Sequence, residues 1–383
     1  MSPRGLAIAC CALLLPGIIL AAFAPSSATR LEAVQVVDTI AFGSCAHQDE
    51  EQPIWDAIRA AEPDLFAFLG DNVYGDTDDM ATLQAQYAKL GAKPGYRQLL
   101  ASGTRVVATW DDHDYGRDNA GAEYPWKRES KRIFLDFFGE PDDSERRERD
   151  GGIYTAYELG PLERRIQVIL LDLRWDRSQP RRLPQGVFEA RWAVDRSGPY
   201  LPTVGRRARM LGEDQWRWLE ARLREPAAVR IIGTSLAFLQ ATGWEDWAMF
   251  PDERERLIDL IASTGASGVV LVSGDTHRAQ LSRRDVDVPY AIWEVNASGL
   301  TRNYGHVPLD PLRVGDIYAD DNFGLIRIDW GTPEPNLSLE IRDVDGRVVM
   351  QRTVGLSQLS AARLAGVGDD ALVAPLGATT RSR

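Results

Sequence analysis

The sequence predicts a layered α/β (α+β) fold, and three observations carry that expectation. Short apolar runs recur and stop abruptly at carboxylates, an amide, an imidazole or a thiol: VDTIAFGSC (37–45), DLFAFLGDNVYGD (64–76), RVVATWDDHDYG (105–116) and GVVLVSGDTH (268–277). Runs of this length, rich in β-formers and bounded by turn residues, read as buried strands. Segments with apolar residues at helical spacing alternate with them, the order expected of packed sheet and helix layers. Finally, 44% of the 383 residues are hydrophobic and 11 are tryptophan, enough for a substantial core.

Each element follows from local chemistry. PIWDAIRAAEPD (53–64) places proline at a helix start, and 79–101 reads as helical with a break at Gly91–Pro94. KRESKRIFLDFFG (127–139) is a helix stopped by Gly139, and DDSERRERDGG (142–152) is a charged, solvated turn. IYTAYEL (153–159) and IQVILLDLR (166–174) read as strands. Residues 176–210 lack a clear period and are rich in Arg, Pro and Gly, which predicts a long surface insertion, a lid over the site. LGEDQWRWLEARLRE (211–225) is an amphipathic helix with Trp216, Leu219 and Leu223 on one face. VRIIGTSLAF (229–238) reads as strand and turn, and PDERERLIDLIAST (251–264) as a helix. YAIWEVNASGL (290–300), NFGLIRIDW (322–330) and LSLEIRDVDGRVVMQRT (337–353) read as antiparallel strands, the last pair joined at Asp345-Gly346.

The N-terminus predicts a signal segment over 1–28: Arg4 precedes the apolar LAIACCALLLPGIILAAFA, and Ser26-Ser27-Ala28 offers a cleavage site. Secretion or export to a periplasm follows, with an uncleaved membrane anchor as the competing reading. Cys10 and Cys11 lie too early for a lipoprotein site, so the mature chain holds Cys45 alone and no disulfide framework. One domain is expected over 29–354 and a mobile tail over 355–383. A formal charge of −12 and a pI of about 5.0 argue against a nucleic-acid surface. An anionic substrate needs a local positive site within that field, and metal ions provide one.

In open sheets, ligands gather where strands run out at their carboxyl ends. Four such ends deliver Cys45, Asp71, Asn72, Tyr74, Asp111, Asp112, His113, Asp114, Asp275 and His277. A cysteine phosphatase requires Arg six residues after its Cys, where this chain has Glu51. There is no D-x-D-x-T, no G-x-S-x-G elbow and no H-E-x-x-H. What remains is metal-ion catalysis, with two cations sharing a carboxylate and activating water to hydroxide. Asp71 is the natural shared ligand, the Tyr74 phenolate suits trivalent iron, Asp112 and Asp275 are hard oxygen donors, and His277 is an imidazole donor. His113 is placed to give a proton to the leaving oxygen. Cys45 is a thiolate ligand or a small buried hydrophobe, and its place level with the carboxylates favours the ligand.

FGSC (42–45), GDNVYGD (70–76), WDDHDYG (110–116), LDLR (171–174), LGEDQWRWLEARL (211–223), SGDTH (273–277), ASGL (297–300) and NFGLIRIDW (322–330), in order, resemble the alkaline phosphatase D family of calcineurin-like metallophosphoesterases. The resemblance implies a four-layer αββα sandwich of two mixed β-sheets flanked by helices. It also implies hydrolysis of phosphoric esters, with iron(III) and calcium as the metals. Small phosphate esters or phospholipids are the substrates it implies. By more distant likeness to purple acid phosphatases, Asp71 bridges the metals, Tyr74 binds the iron, Asp112 is a ligand and His113 the acid. Asp275-x-His277 matches their terminal ligand pair, Cys45 takes the place of an aspartate, and Asn72 joins the ligand set. A histidine those relatives use after a middle strand is replaced by Thr234-Ser235, which predicts a looser second metal, filled out by water as calcium permits.

Arg174 is expected to act on substrate phosphate, with Arg177 either beside it or in a surface ion pair. Trp244, Trp247 and Phe250 are core aromatics or an apolar substrate wall, while His47 and His306 are structural or exposed. Two alternatives stand beside a phosphatase: a phospholipase D-like phosphodiesterase and a non-catalytic calcium-binding protein.

Overall fold

A computed structural model describes residues 35–205, 208–305 and 310–361. The expected signal segment with Cys10 and Cys11, His306 and residues 362–383 lie outside them. In chain order the strands are β1 (Thr39–Gly43), β2 (Leu65–Leu69), β3 (Arg105–Thr109), β4 (Thr155–Leu159), β5 (Ile166–Leu170), β6 (Arg181–Arg182) and β7 (Tyr200–Leu201). They continue as β8 (Val229–Thr234), β9 (Val269–Ser273), β10 (Ala279–Arg284), β11 (Ile292–Ala297), β12 (Asn322–Asp329), β13 (Asn336–Asp343) and β14 (Val348–Gly355).

Two six-stranded sheets form, ordered β14-β13-β12-β1-β2-β3 and β10-β11-β9-β8-β5-β4. Both are mixed. In the first, β1, β2 and β3 are parallel and β12 to β14 join β1 as an antiparallel meander. In the second, β5, β8, β9 and β11 are parallel, with β4 and β10 antiparallel at the edges. The αββα sandwich expected from the sequence is the observed architecture.

Side-chain alternation explains the layering. Ile40 and Phe42 of β1 and Leu65, Ala67 and Leu69 of β2 belong to the core shared with the second sheet. Their neighbours Ala41, Phe66 and Phe68 point the other way, into a second core with Trp55, Tyr87, Tyr96 and Phe134. Period-two strands that are apolar on both faces require cover on both. Helices Ile54–Ala60, Met80–Ala92, Pro94–Ala101 and Lys127–Phe137 cover the first sheet. Glu213–Leu223 and Pro251–Thr264 pack into the core of the second.

The structure refines three expectations. The insertion at 176–210 is not structureless: β6 and β7 pair, and Gln185–Asp195 is a surface helix whose Phe188 and Trp192 meet Trp244. Trp247 and Phe250 are fully buried core residues, leaving Trp244 as the exposed one of the three. The start of the expected tail belongs to the fold, since Leu356–Leu359 forms a 3-10 turn that buries Leu359.

Phe42 of β1 lies opposite Gly324 of β12, and a Cβ at 324 would sit 2.2 Å from the Phe42 ring. Gly324→Val is expected to destabilise the protein by about 1–3 kcal/mol, because the ring has no free space to move into. The urea midpoint measures it, and an unchanged midpoint would show that the pair repacks freely.

Candidate metal centre

The parallel strands of both sheets end at one edge, and the loops that leave them lock together. The N–H of Cys45 donates to Gly70 O at 3.4 Å and that of Ala46 to Asp71 O at 3.0 Å, joining the loops after β1 and β2. Leu300 and Thr301 donate backbone N–H groups to Ser44 O and Cys45 O, both at 3.1 Å, clamping the first loop from the far side. Gly70 is required where it stands: its φ is +98°, and a Cβ there would lie 2.5 Å from Asp111 Cβ. After β3 the chain makes one helical turn, Asp112–Tyr115, whose Asp114 carboxylate accepts from Asp111 N–H at 2.7 Å.

Within this edge the expected ligands fall into overlapping sets. The donor atoms of Cys45, Asp71 and His277 lie within 4.8 Å of one another, as do those of Asp71, Asp111, Asp112 and Asp275, and those of Asp71, Asp112 and His113. Asp71 belongs to all three. Asp275 and His277, paired in the sequence, divide between a sulfur and imidazole group and a carboxylate group.

The residues present fit cations. Asp71 Oδ1, Asn72 Oδ1 and Asp111 Oδ2 are buried oxygens without a hydrogen-bond donor. A buried polar atom left unpaired is costly. Asn72 gives its amide hydrogens to Thr109 O at 2.8 Å and Asp114 Oδ2 at 2.5 Å, which leaves its carbonyl oxygen as the free donor. Cys45 Sγ lies 3.4 Å from Asp71 Oδ2 and 3.2 Å from Ser298 Oγ. Tyr74 Oη lies 3.4 Å from His277 Nε2. His113 Nδ1 meets Asp76 Oδ1 at 2.7 Å, and its ring packs 4.3 Å from that of Tyr74.

Proton affinities report the same crowding. Burial first, with the charges of Asp112 and Asp111 adding and His113 opposing, pushes Asp71 well above the usual carboxylate range. Asp275 rises through burial and then the charges of Asp111 and Glu245. Burial pushes the Cys45 thiol up, and the Asp71 charge adds to it. Asp112 is the exception: burial opposes its ionisation, yet Arg174 and His113 outweigh it and hold its carboxyl below the usual range. Burial also works against a charge on His113, but Asp112 and Asp71 overcome it and raise the imidazole to about 11. His277 drops to about 4 through burial and then the charge of His113, so it stays neutral, the form that donates to a metal. Cations would invert this pattern for the acids, since a nearby positive charge favours thiolate and carboxylate.

Arg174 and Arg177 are the corrections. Neither is exposed at all. Arg174 Nε donates to Asp111 Oδ1 at 2.5 Å, while Nη2 reaches Asp112 Oδ1 at 3.3 Å and Glu245 Oε2 at 3.0 Å. Arg177 pairs with Glu245 Oε1 and donates to Asn119 O at 2.6 Å. Both guanidiniums are committed to buried carboxylates and backbone carbonyls, and the ion pair of Arg177 is a buried one.

Several contributors carry no local signal in the sequence. Ser298 bridges Cys45 Sγ and the backbone N–H of His277, the latter at 2.9 Å. Ser235 donates to Asp111 Oδ1 at 2.7 Å from the place where the relatives' histidine was missing. Asn119 holds Asp112 Oδ2 through its backbone N–H at 2.6 Å. His47 is structural, its ring stacked 4.8 Å from that of Tyr74.

A family model described as PhoD-like phosphatase matches residues 84–311. No curated protein matches the chain. Among solved structures, a protein described as PhoD superposes with a TM-score of 0.62 at 17% identity, over 86% of this chain and 71% of that one. GAP50, described as the anchor in the inner membrane complex of Plasmodium, gives 0.51 at 10% identity over 84% and 90%. A dimetal phosphatase from Danio rerio gives 0.50 at 13% identity over 84% and 100%. At such identities these likenesses establish the fold.

Arg174→Ala is expected to cost about 3–5 kcal/mol, because it leaves the buried Asp111 with no cationic partner and Glu245 with Arg177 alone. A thermal melt checks it. A variant that melts normally and shows only a raised KM would return Arg174 to the substrate.

Proposed function

Because the chain belongs to the PhoD-like phosphatase family, whose model spans more than half of it, we propose that its phosphoric ester hydrolysis is carried out at the Asp71 edge. The sharing of Asp71 by three groups of potential ligands supports this reading most strongly. It is the arrangement two cations need in order to act on one phosphoryl group.

In this reading Cys45, Asp71, Tyr74 and His277 would hold one ion, and Asp71, Asn72, Asp112 and Asp275 would hold the other. The thiolate and phenolate suit iron(III), and the all-oxygen set suits calcium. When bound, the ions supply positive charge against the phosphate oxygens and lower the pKa of water. The protein residues do the rest. His113, held by Asp76 and kept protonated by the carboxylates around it, donates its proton to the leaving oxygen. Arg174 and Ser235 fix Asp111, and Arg174 with the Asn119 N–H fixes Asp112, so neither carboxylate rotates as charge moves. Cys45 is held in place by the two clamping loops and by Ser298.

Monoester and diester cleavage use the same core, and a phospholipid substrate is the reading favoured by the exposed Trp244 beside Phe188 and Trp192. A purely binding role is the competing class, since one structural neighbour is described as an anchor. Export rests on the signal segment predicted from the sequence. Among the described residues, no helix is long and apolar enough to cross a membrane.

Exhaustive chelation is expected to abolish hydrolysis of mono-aryl and bis-aryl phosphates, and metal add-back to restore it. His113→Ala should keep its metal while losing roughly 10²–10⁴-fold in kcat. Turnover that survives chelation, or a fully active His113→Ala, would sink this reading.

A further inference from the structure

We propose that the cleft between the helix Lys127–Phe137 and the segment 145–152 is a second site, distinct from the carboxylate edge, that binds a tetrahedral oxyanion of the phosphate or sulfate class. The cleft has a volume of about 230 Å³ and is lined by Arg128, Lys131, Arg132, Arg147 and Arg149 around Trp175. No carboxylate lines it. In a chain of net charge −12, five cations facing one small cavity stand out against the overall field.

Three of the five pair with exposed carboxylates outside the lining, and two have no such partner. Arg128 pairs with Asp150, Arg147 with Asp136 at 2.7 Å, and Arg149 with Glu145 at 3.6 Å. Lys131 and Arg132 have no carboxylate partner among the described residues. Lys131 is only 7% exposed, so it is not a surface lysine. Its ammonium donates to Arg149 O at 2.6 Å and Gly151 O at 2.8 Å, which leaves one of its three hydrogens uncommitted. Trp175 carries Lys127, Lys131 and Arg128 within 4.7, 5.6 and 5.9 Å of its ring, so aromatic packing brings the cations together. Burial first, and then the charge of Arg149, bring Lys131 down to about 8. A dianion offsets the positive charge of the cleft and accepts the spare hydrogen of Lys131, and the volume admits an oxyanion group.

Arg128 and Arg132 are exposed, so Arg128→Ala/Arg132→Ala tests the site without opening the core. Sulfate and dextran sulfate are titrated calorimetrically into the purified holoprotein at low ionic strength. The same titrations use the cleft variant and a charge-matched control, Arg59→Ala/Arg217→Ala. The expected result is saturable binding that weakens about tenfold or more in the cleft variant alone. Cleft-dependent binding of sulfate assigns a free dianion, and cleft-dependent binding of dextran sulfate alone assigns one borne on a polymer. Binding of neither, equal weakening in the control, or affinity untouched by the cleft substitutions would overturn the proposal. Aryl phosphate turnover, measured alongside, reports separately on the metal centre.

Discussion

Four aspartates crowded at one buried edge are the constraint on which the rest of the structure depends. Asp71, Asp111, Asp112 and Asp275 bring oxygens within 4.8 Å of one another. Charges at that spacing repel strongly where water is excluded. Arg174 answers part of this repulsion from behind, and Glu245 locks Arg174 to Arg177. Asp71 Oδ1 and Asp111 Oδ2 remain without a partner. The fold is arranged so that these residues cannot separate: parallel strands from two facing sheets stop at the same edge, and the hydroxyl of Thr109 on the first sheet bonds Leu171 O on the second at 2.7 Å.

That arrangement costs the backbone something. Cys45, Asp71, Asp275 and His277 all have left-handed φ, at 63°, 51°, 65° and 55°. Asp and His visit this region more readily than most residues, whereas Cys does not. Each such position costs roughly 1–3 kcal/mol and persists only when its surroundings enforce it. The enforcement is visible at Cys45, whose N–H and C=O are both held by neighbouring loops. Strain at four donor residues, with their sulfur, oxygens and imidazole gathered at one edge, fits a site whose stability is completed by what it binds.

Much of this was legible in the chain because strand and chemistry are contiguous there. An apolar run followed by GDNVYGD or WDDHDYG states both where a strand ends and which donors leave it. The direction of a long side chain is not written that way. Arg174 leaves β5 two residues after Asp172, and only the packed structure shows it turned into Asp111 rather than outward. Glu245 and Ser298 sit in loops far along the chain, with no periodic neighbourhood to mark them. β10 carries a weak signal because only Ala279 and Leu281 face the core, while Gln280 and Ser282 on its other face are buried and bonded to each other at 2.9 Å. The surface helix Gln185–Asp195 follows Pro184 and contains Gly186 and no buried residue, so neither composition nor periodicity announced it.

Metal content measured on protein purified without chelators tests the shared carboxylate most directly, in the wild type, Asp71→Asn and Cys45→Ser. Asp71→Asn keeps the shape of the side chain and gives up its charge, so it should lose metal from both positions, while Cys45→Ser should lose it from one. An Asp71→Asn protein that folds and retains the full wild-type complement would contradict the arrangement.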